Sequence, residues 1–205
     1  MVLGKIENII FDLGGVLIDI DYGATILAFE ELGATNFQSS YSQLNQTSLF
    51  DEYEKGLISS QHFINKLMDH LPKGITPNQI VAAWNAMLGK FPLKKIELIK
   101  KLGLSYRIFL LSNTNALHMS IVKKAWKEVS ENQMNDLFEK VYVSFEIGKR
   151  KPDIDIFNWV CQQNGLSAEK TLFIDDSSQH IIGAKKAGLQ TYFYENEEDF
   201  YKLFS

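Results

Sequence analysis

Short apolar segments alternate along the chain with longer segments of helical periodicity. Runs rich in Ile, Phe and Val predict strands at 6–11, 107–111, 141–143, 171–174 and 190–193. Apolar residues at spacings of three and four predict helices at 116–129, 154–164, 179–187 and 198–204. Strands that alternate with helices in this way are typical of a parallel sheet covered on both faces. We therefore predict an α/β fold with a doubly wound, mainly parallel sheet.

The segment from about residue 20 to residue 90 departs from this rhythm, because it contains no convincing strand. Apolar residues recur at helical spacing around 26–32 and again around 63–68. This pattern predicts a small helical domain inserted after the first strand. The predicted division is an α/β core of residues 1–19 and 91–205 and a helical cap of residues 20–90.

The composition favours a chain that folds on its own. Its 205 residues are 45% hydrophobic and 22% charged, which allows a sizeable core without disulfides or a structural metal. The 21 Lys and Arg residues against 25 Asp and Glu residues give a net charge of −4, so we expect no broad cationic face for a phosphate backbone. Nucleic acid is therefore not the expected partner, whereas a small anion can bind at a local positive site.

The cysteine content and the first residues predict the compartment. The single cysteine, Cys161, cannot form an intrachain disulfide, and its apolar surroundings predict a core position. The chain does not begin with the basic, apolar and small-residue order of a secretory signal. No apolar run reaches the length of a membrane span. We therefore predict a cytoplasmic protein without a membrane partner.

Polar clusters follow the predicted strands, where parallel sheets bind ligands. Asp12 comes directly after the first strand, and Gly14 and Gly15 allow a sharp turn that presents a carboxylate in a cleft. A turn-forming aspartate is the alternative. Ser112 and Asn113 follow the second strand and can donate hydrogen bonds to an oxyanion, or can begin the next helix as its cap.

Two further clusters supply charge. The basic segment 148–153 contains Lys151, which can neutralise a phosphate, although a solvated basic loop is the simpler interpretation of that segment alone. Asp175 and Asp176 follow an apolar strand, and paired carboxylates with oxygen-only donors suit Mg²⁺. Helix capping is the alternative for this pair. Together the four clusters offer a nucleophile, a donor, a cation and an acid pair at one sheet edge, which indicates phosphoryl transfer to a carboxylate.

The same four segments resemble the motifs of the haloacid dehalogenase (HAD) superfamily, in order and over essentially the whole chain. The matching segments are Phe-Asp-Leu-Gly-Gly-Val-Leu at 11–17, Leu-Ser-Asn-Thr-Asn-Ala-Leu-His at 111–118, Arg-Lys-Pro-Asp at 150–153 and Phe-Ile-Asp-Asp at 173–176. Within the superfamily they are most similar to sugar-phosphate phosphatases that act on α-D-glucose 1-phosphate. The resemblance implies a Rossmann-like core with a helical cap that closes over the cleft.

The resemblance also implies a role for each matching residue. Asp12 would attack phosphorus to form an aspartyl-phosphate, Lys151 would pair with Asp12 and the phosphate, and Ser112 and Asn113 would bind the phosphoryl oxygens. Mg²⁺ would be the cofactor, and its implied ligands are Asp12, the carbonyl of Gly14, Asp175 and Asp176. The implied substrate is a small phosphorylated metabolite such as a hexose 1-phosphate. The resemblance implies no oligomeric state.

One position departs from the family pattern. Most phosphatases of this superfamily carry a general acid two residues after the nucleophile, where this chain has Gly14. Such groups contribute typically about 10²–10⁴-fold to a rate. A sugar 1-phosphate needs less protonation, because its anomeric oxygen is a better leaving group than an ordinary alcohol. A substrate hydroxyl, an ordered water, Asp19 or Asp21 are alternative stand-ins, although hinge positions are the simpler interpretation of the two aspartates.

The departure keeps two other functions open. Haloacid dehalogenases also lack this residue, but they displace halide without a metal and have no use for Asp175 and Asp176. A non-catalytic protein that binds a phosphometabolite or a protein partner is the third possibility. The phosphatase remains the predicted function.

Other aromatic and imidazole side chains have less specific patterns. The 4 histidines show no spacing typical of a transition-metal site, so we expect each at the surface or at the edge of the core. His118 and Trp126 are expected near the entrance of the cleft. Trp84 and Phe63 are expected in the core.

Overall fold

The structure, a computed structural model, describes residues 3–34, 48–69 and 71–204. His70 and part of the predicted cap lie outside these residues. Within them, five parallel strands form one sheet in the order β3-β2-β1-β4-β5. The strands are β1 (Asn8–Phe11), β2 (Arg107–Ser112), β3 (Lys140–Val143), β4 (Thr171–Asp175) and β5 (Gln190–Phe193). The predicted strands are confirmed, although β1 begins two residues later than the prediction.

The helices connect the strands and fill the segment after β1. They are α1 (Tyr22–Glu31), α2 (Ser48–Glu54), α3 (Ser60–Met68), α4 (Pro77–Asn85), α5 (Leu93–Leu102), α6 (Ala116–Val129), α7 (Met134–Leu137), α8 (Ser144–Ile147), α9 (Ile154–Asn164), α10 (Ser178–Lys186) and α11 (Glu197–Leu203). The bounds of α6 and α9 match the prediction, and α10 and α11 begin one residue early. The sequence analysis did not predict α5, although Leu93, Ile96, Ile99 and Leu102 recur there at helical spacing.

Side chains of the central strands alternate between two cores. Ile9 and Phe11 of β1 belong to one buried cluster, and Ile10 between them belongs to the cluster on the opposite face. The first cluster includes Trp126 of α6, and the second includes Phe157 of α9. Both faces of the sheet are therefore covered, as the prediction of a doubly wound fold requires. The second cluster also contains Cys161, which confirms its predicted place in the core.

Helices α1 to α4, called the helical insert below, have a separate apolar cluster. Phe63 and Trp84 lie at its centre with their ring centroids 4.7 Å apart, and Phe50 stacks on Trp84 at 5.3 Å. Helix α4 begins at a capping box in which the side chains of Thr76 and Gln79 bind each other's backbone N–H groups. The predicted core positions of Phe63 and Trp84 are thus confirmed. The division into two domains stays a prediction.

A glycine sets the position of α10 beside the loop that contains Lys151. A Cβ atom at Gly183 would lie 2.2 Å from the carbonyl oxygen of Pro152. Only a glycine permits this approach of helix to loop. In the described ranges, no helix combines the length and apolar character that crossing a bilayer demands.

Candidate active site

The predicted site residues meet at the carboxyl edge of the sheet. Asp12 follows β1, Ser112 ends β2, Asp175 ends β4, and Lys151 enters from the loop between α8 and α9. One cavity is lined by six of the seven residues implied above, namely Asp12, Gly14, Ser112, Asn113, Lys151 and Asp176. Asp175 is fully buried and contacts Lys151. The structure therefore brings all seven together, while their roles stay predictions.

The ammonium group of Lys151 joins two carboxylates. Its Nζ lies 2.7 Å from Oδ1 of Asp12 and 2.7 Å from Oδ2 of Asp175, and the lysine side chain is 0% exposed. Burial opposes the charged form, but the two carboxylates outweigh it and raise the pKa of Lys151. Burial also raises the pKa of Asp12, against the pull of Lys151 and with the help of Asp175 and Asp176. The site thus contains more negative charge than one lysine balances.

The side chain of Asn113 holds the backbone of Lys151. Its Nδ2 donates to the Lys151 carbonyl at 2.8 Å, and its Oδ1 accepts from the Lys151 N–H at 2.9 Å. The sequence analysis gave Asn113 to the phosphoryl oxygens. In this structure its side-chain amide instead fixes the loop that carries the Lys151 ammonium group.

Asp175 is saturated with donors. Its Oδ1 accepts from the N–H of Ser177 at 2.8 Å and from Nδ1 of His180 at 2.9 Å, and its Oδ2 accepts from Lys151. Burial raises the pKa of Asp175, but Lys151 and His180 outweigh it and hold that pKa well below its usual range. The sequence analysis placed His180 at the surface or core edge and missed this contact. The signal was its position five residues after Asp175, on the first turn of α10.

Asp176 lies against a glycine of the first motif. A Cβ atom at Gly15 would be 2.1 Å from Oδ2 of Asp176, and Gly15 has φ +73. Burial, followed by the charge of Asp175, raises the pKa of Asp176 to about 6. Within the described part of the chain, its carboxylate receives no side-chain hydrogen bond from another residue. It therefore stands at the cavity with free acceptor capacity.

These residues fit a divalent cation. Asp12, Asp175 and His180 each offer a ligand atom within 4.8 Å of the others, and Asp176 adds a third carboxylate at the cavity. Among the described residues no backbone N–H donates to the Gly14 carbonyl, so this oxygen is also available as a ligand. Three carboxylates beside one ammonium leave an excess of negative charge that a hard cation compensates, and oxygen donors of this kind suit Mg²⁺.

The helical insert forms part of the cavity wall. Tyr22, Glu54 and Trp84 line the cavity from α1, α2 and α4. Arg150, next to Lys151, joins this wall to the core, because its Nη1 lies 2.6 Å from Asp51 and its Nη2 lies 3.0 Å from Glu54. The helical insert therefore contacts the part of the cavity that contains Asp12 and Lys151.

The structure separates the residues expected near the entrance. His118 is buried and lines the cavity. Trp126 does not line it: its side chain is buried in the core, 5.1 Å from the ring of Phe91, so that prediction is wrong. Asp19 and Asp21 are also absent from the cavity wall, and Asp21 caps α1 by accepting from the N–H of Ala24. Neither residue therefore reaches this cavity, and their interpretation as hinge positions stays a prediction.

Comparison with known proteins identifies the class. The profile of the haloacid dehalogenase-like hydrolase family matches residues 9–194, and the chain belongs to this family. A D-ribitol-5-phosphate phosphatase of Bacteroides thetaiotaomicron is 34% identical over 194 residues, which are 95% of this chain and 94% of the relative.

Solved structures agree with this relationship. A variant of a HAD family enzyme from Bacteroides thetaiotaomicron, in complex with magnesium and inorganic phosphate, has a TM-score of 0.93 and 35% identity and covers 98% of this chain and 99% of that chain. The solved structure of a predicted HAD-like family hydrolase from Porphyromonas gingivalis has a TM-score of 0.88 and 32% identity, with 98% and 97% of the two chains covered.

These findings confirm four predictions, which are the superfamily, the fold class, the enzyme class of phosphoric monoester hydrolase and the cofactor Mg²⁺. The more specific similarity to α-D-glucose 1-phosphate phosphatases stays a prediction.

Proposed function

We propose that this enzyme is a Mg²⁺-dependent phosphatase of a small phosphorylated sugar or polyol, acting through an aspartyl-phosphate on Asp12. The observation that carries the proposal is the 2.7 Å contact between Lys151 Nζ and Asp12 Oδ1 at the wall of the cavity. This contact orients one carboxylate oxygen, so that the other oxygen, Oδ2, is the one available for attack.

The chain's own residues account for the two steps. The bond between Asp12 Oδ2 and phosphorus forms while the bond between phosphorus and the alcohol oxygen breaks, and the alcohol oxygen takes a proton from solvent water, since Gly14 stands at the general-acid position. Water then attacks phosphorus and releases inorganic phosphate from Asp12. The Ser112 hydroxyl and the Lys151 ammonium bind the phosphoryl oxygens during both steps.

The two adjacent acids divide the work of metal binding. We assign Asp176 as a direct ligand, with Asp12 and the Gly14 carbonyl, because its carboxylate has free acceptor capacity. The Asp175 carboxylate already accepts from Lys151, Ser177 and His180, so it orients the lysine and the adjacent loop. When bound, Mg²⁺ neutralises charge on the transferring phosphoryl group.

The relative at 34% identity favours a polyol phosphate such as D-ribitol 5-phosphate over a hexose 1-phosphate. An ester of a primary alcohol has a poorer leaving group than an anomeric ester. A preference for the polyol phosphate would therefore remove the leaving-group explanation for Gly14. The titratable cavity residues Tyr22 and Glu54 would then be the groups to examine for proton transfer.

Phosphate release tests this function. The panel consists of D-ribitol 5-phosphate, α-D-glucose 1-phosphate, glucose 6-phosphate and an aryl phosphate, with Mg²⁺ and with EDTA. We expect Mg²⁺-dependent release, fastest from the polyol phosphate. Asp12→Asn should lower kcat by at least about 10³-fold, because it removes the nucleophile. Metal-independent halide release from a haloacid would instead support a dehalogenase, and binding without turnover would support a non-catalytic protein.

A further inference from the structure

His118 is fixed in one place where the helical insert meets the core. Its ring stacks on the indole of Trp84, with the ring centroids 4.9 Å apart and the planes 8° apart. Its backbone N–H donates to Oδ1 of Asn115, which also accepts from Nε1 of Trp84. The ring therefore has little freedom, and His118 lines the same cavity as Asp12.

The hydrogen bonds of Asn85 determine which ring nitrogen carries the proton. Nδ2 of Asn85 donates to the Val81 carbonyl at 2.9 Å, so the amide oxygen is the atom that lies 2.9 Å from Nδ1 of His118. An amide oxygen only accepts, so Nδ1 must donate. Burial lowers the pKa of His118 to about 3, which keeps the ring neutral. The other nitrogen, Nε2, consequently has a lone pair and no proton.

We propose that Nε2 of His118 accepts a hydrogen bond from a hydroxyl group in the alcohol part of the substrate, which makes His118 a specificity-determining residue. The inference rests on the proposed function, since it concerns the same cavity. A lone pair at this position selects for groups that donate. It disfavours carboxylates and carbonyls, which present only lone pairs, and it gains nothing from a bare alkyl chain. The substrate class is thereby narrowed to hydroxylated phosphate esters.

A pair of ligands and a pair of variants test the hydrogen bond by binding. The ligands are D-ribitol 5-phosphate and n-pentyl phosphate, which has the same chain length without hydroxyl groups, and the Asp12→Asn enzyme with Mg²⁺ binds them without turnover. Adding His118→Asn removes Nε2, whereas adding His118→Gln brings an amide oxygen near its position. We expect the Asn variant to weaken the binding of ribitol 5-phosphate by about 3- to 10-fold more than the binding of pentyl phosphate, and the Gln variant to recover most of the lost affinity.

The matched control is His62→Asn on the exposed face of α3, which should leave the ratio of the two dissociation constants unchanged. Equal weakening of both ligands by His118→Asn, or no weakening, would overturn the inference and leave the phosphatase standing. Conversely, a wild-type enzyme that releases no phosphate, combined with the expected effect on binding, would refute the phosphatase and leave the inference standing.

Nitrogen NMR of the His118 ring gives a readout that needs no variant at this position. We expect a protonated Nδ1 and an unprotonated Nε2 in the Asp12→Asn enzyme. The Nε2 resonance should shift when ribitol 5-phosphate is added and should not shift with pentyl phosphate. A proton on Nε2, or the same shift with both ligands, would contradict the assignment.

Discussion

Nδ1 of His180 lies 2.9 Å from Oδ1 of Asp175, whose other oxygen accepts from the ammonium of Lys151. The imidazole of His180 thus positions the Asp175 carboxylate, which in turn positions the Lys151 ammonium group beside Asp12. His180 reaches the site from the first turn of α10, so the start of this helix and Lys151 share one buried acid.

Replacing His180 should therefore affect Mg²⁺ binding and turnover together. We expect His180→Ala to lower the apparent affinity for Mg²⁺ by about 10- to 100-fold, as is usual when a residue that supports the metal ligands from behind is removed, because Asp175 positions the lysine that contacts the ligand Asp12. His180→Asn keeps a donor close to the position of Nδ1 and should lose much less. The measurement is phosphate release against Mg²⁺ concentration. Unchanged Mg²⁺ dependence in the Ala variant would show that Asp175 does not need this donor.

Gly15 provides a test of the contact between the first and fourth motifs. An Ala side chain there would meet both a positive φ and the carboxylate of Asp176. Gly165 has φ +62 with nothing within 4 Å of its would-be Cβ, so Gly165→Ala carries the backbone strain alone. We expect Gly15→Ala to be less stable than Gly165→Ala by about 1–3 kcal/mol and to require more Mg²⁺. Equal free energies of unfolding would mean that Asp176 moves aside freely.

His118 predicts a stability loss in acid. Its pKa is lowered to about 3 in the folded chain, whereas the ordinary value is about 6.5. The unfolded chain therefore binds the proton first, and the free energy of unfolding falls below pH of about 6.5 by up to about 1.4 kcal/mol per pH unit. The loss ends near the folded-state pKa.

The measurement compares wild type with His118→Gln by denaturant unfolding without Mg²⁺ over this range. A comparison is needed because Asp176 acts in the opposite direction: its raised pKa of about 6 makes the folded chain take up that proton first. Both proteins contain Asp176, so the difference between their curves reports His118 alone. The wild type should lose stability more steeply than the variant as the pH falls. If the free energies of unfolding of the two proteins fall in parallel with pH, the folded protein accepts a charged imidazole at His118 and the prediction is wrong.

Arg150 should control how firmly the insert contacts the core. Arg150→Gln removes the ion pairs to Asp51 and Glu54, which are largely shielded from solvent. We expect faster amide hydrogen exchange in α2 and a higher KM. Lys149→Gln is the matched control, since it removes an equal charge one residue away from an exposed pair with Asp155. Identical exchange in the two variants would show that the ion pairs do not hold α2.

The sequence predicted the parts of the site that follow strand ends. Asp12, Ser112 and Asp175 could be located because parallel strands bring their carboxyl ends to one edge, so position along the chain determines position in space. Lys151 could be placed at this edge because its basic segment follows the third strand, whereas its pairing with Asp12 was implied only by the motif resemblance.

Contacts between distant segments could not be predicted in this way. The position of Asn85 and Trp84 beside His118 depends on how the insert lies on the core, and no local periodicity encodes that relationship. Trp126 shows the same limit: it was expected near the entrance of the cleft, but the face of α6 that carries it packs against the core.

The paired hydrogen bonds from Asn113 to both peptide groups of Lys151 have a wider consequence. A primary amide satisfies a peptide N–H and a carbonyl at once, as a neighbouring strand would. An aspartate at this position would accept but not donate, and a leucine of similar size would do neither. Substitutions at position 113 should thus shift the ammonium group that lies beside Asp12. An uncharged asparagine therefore determines where the positive charge of the site lies.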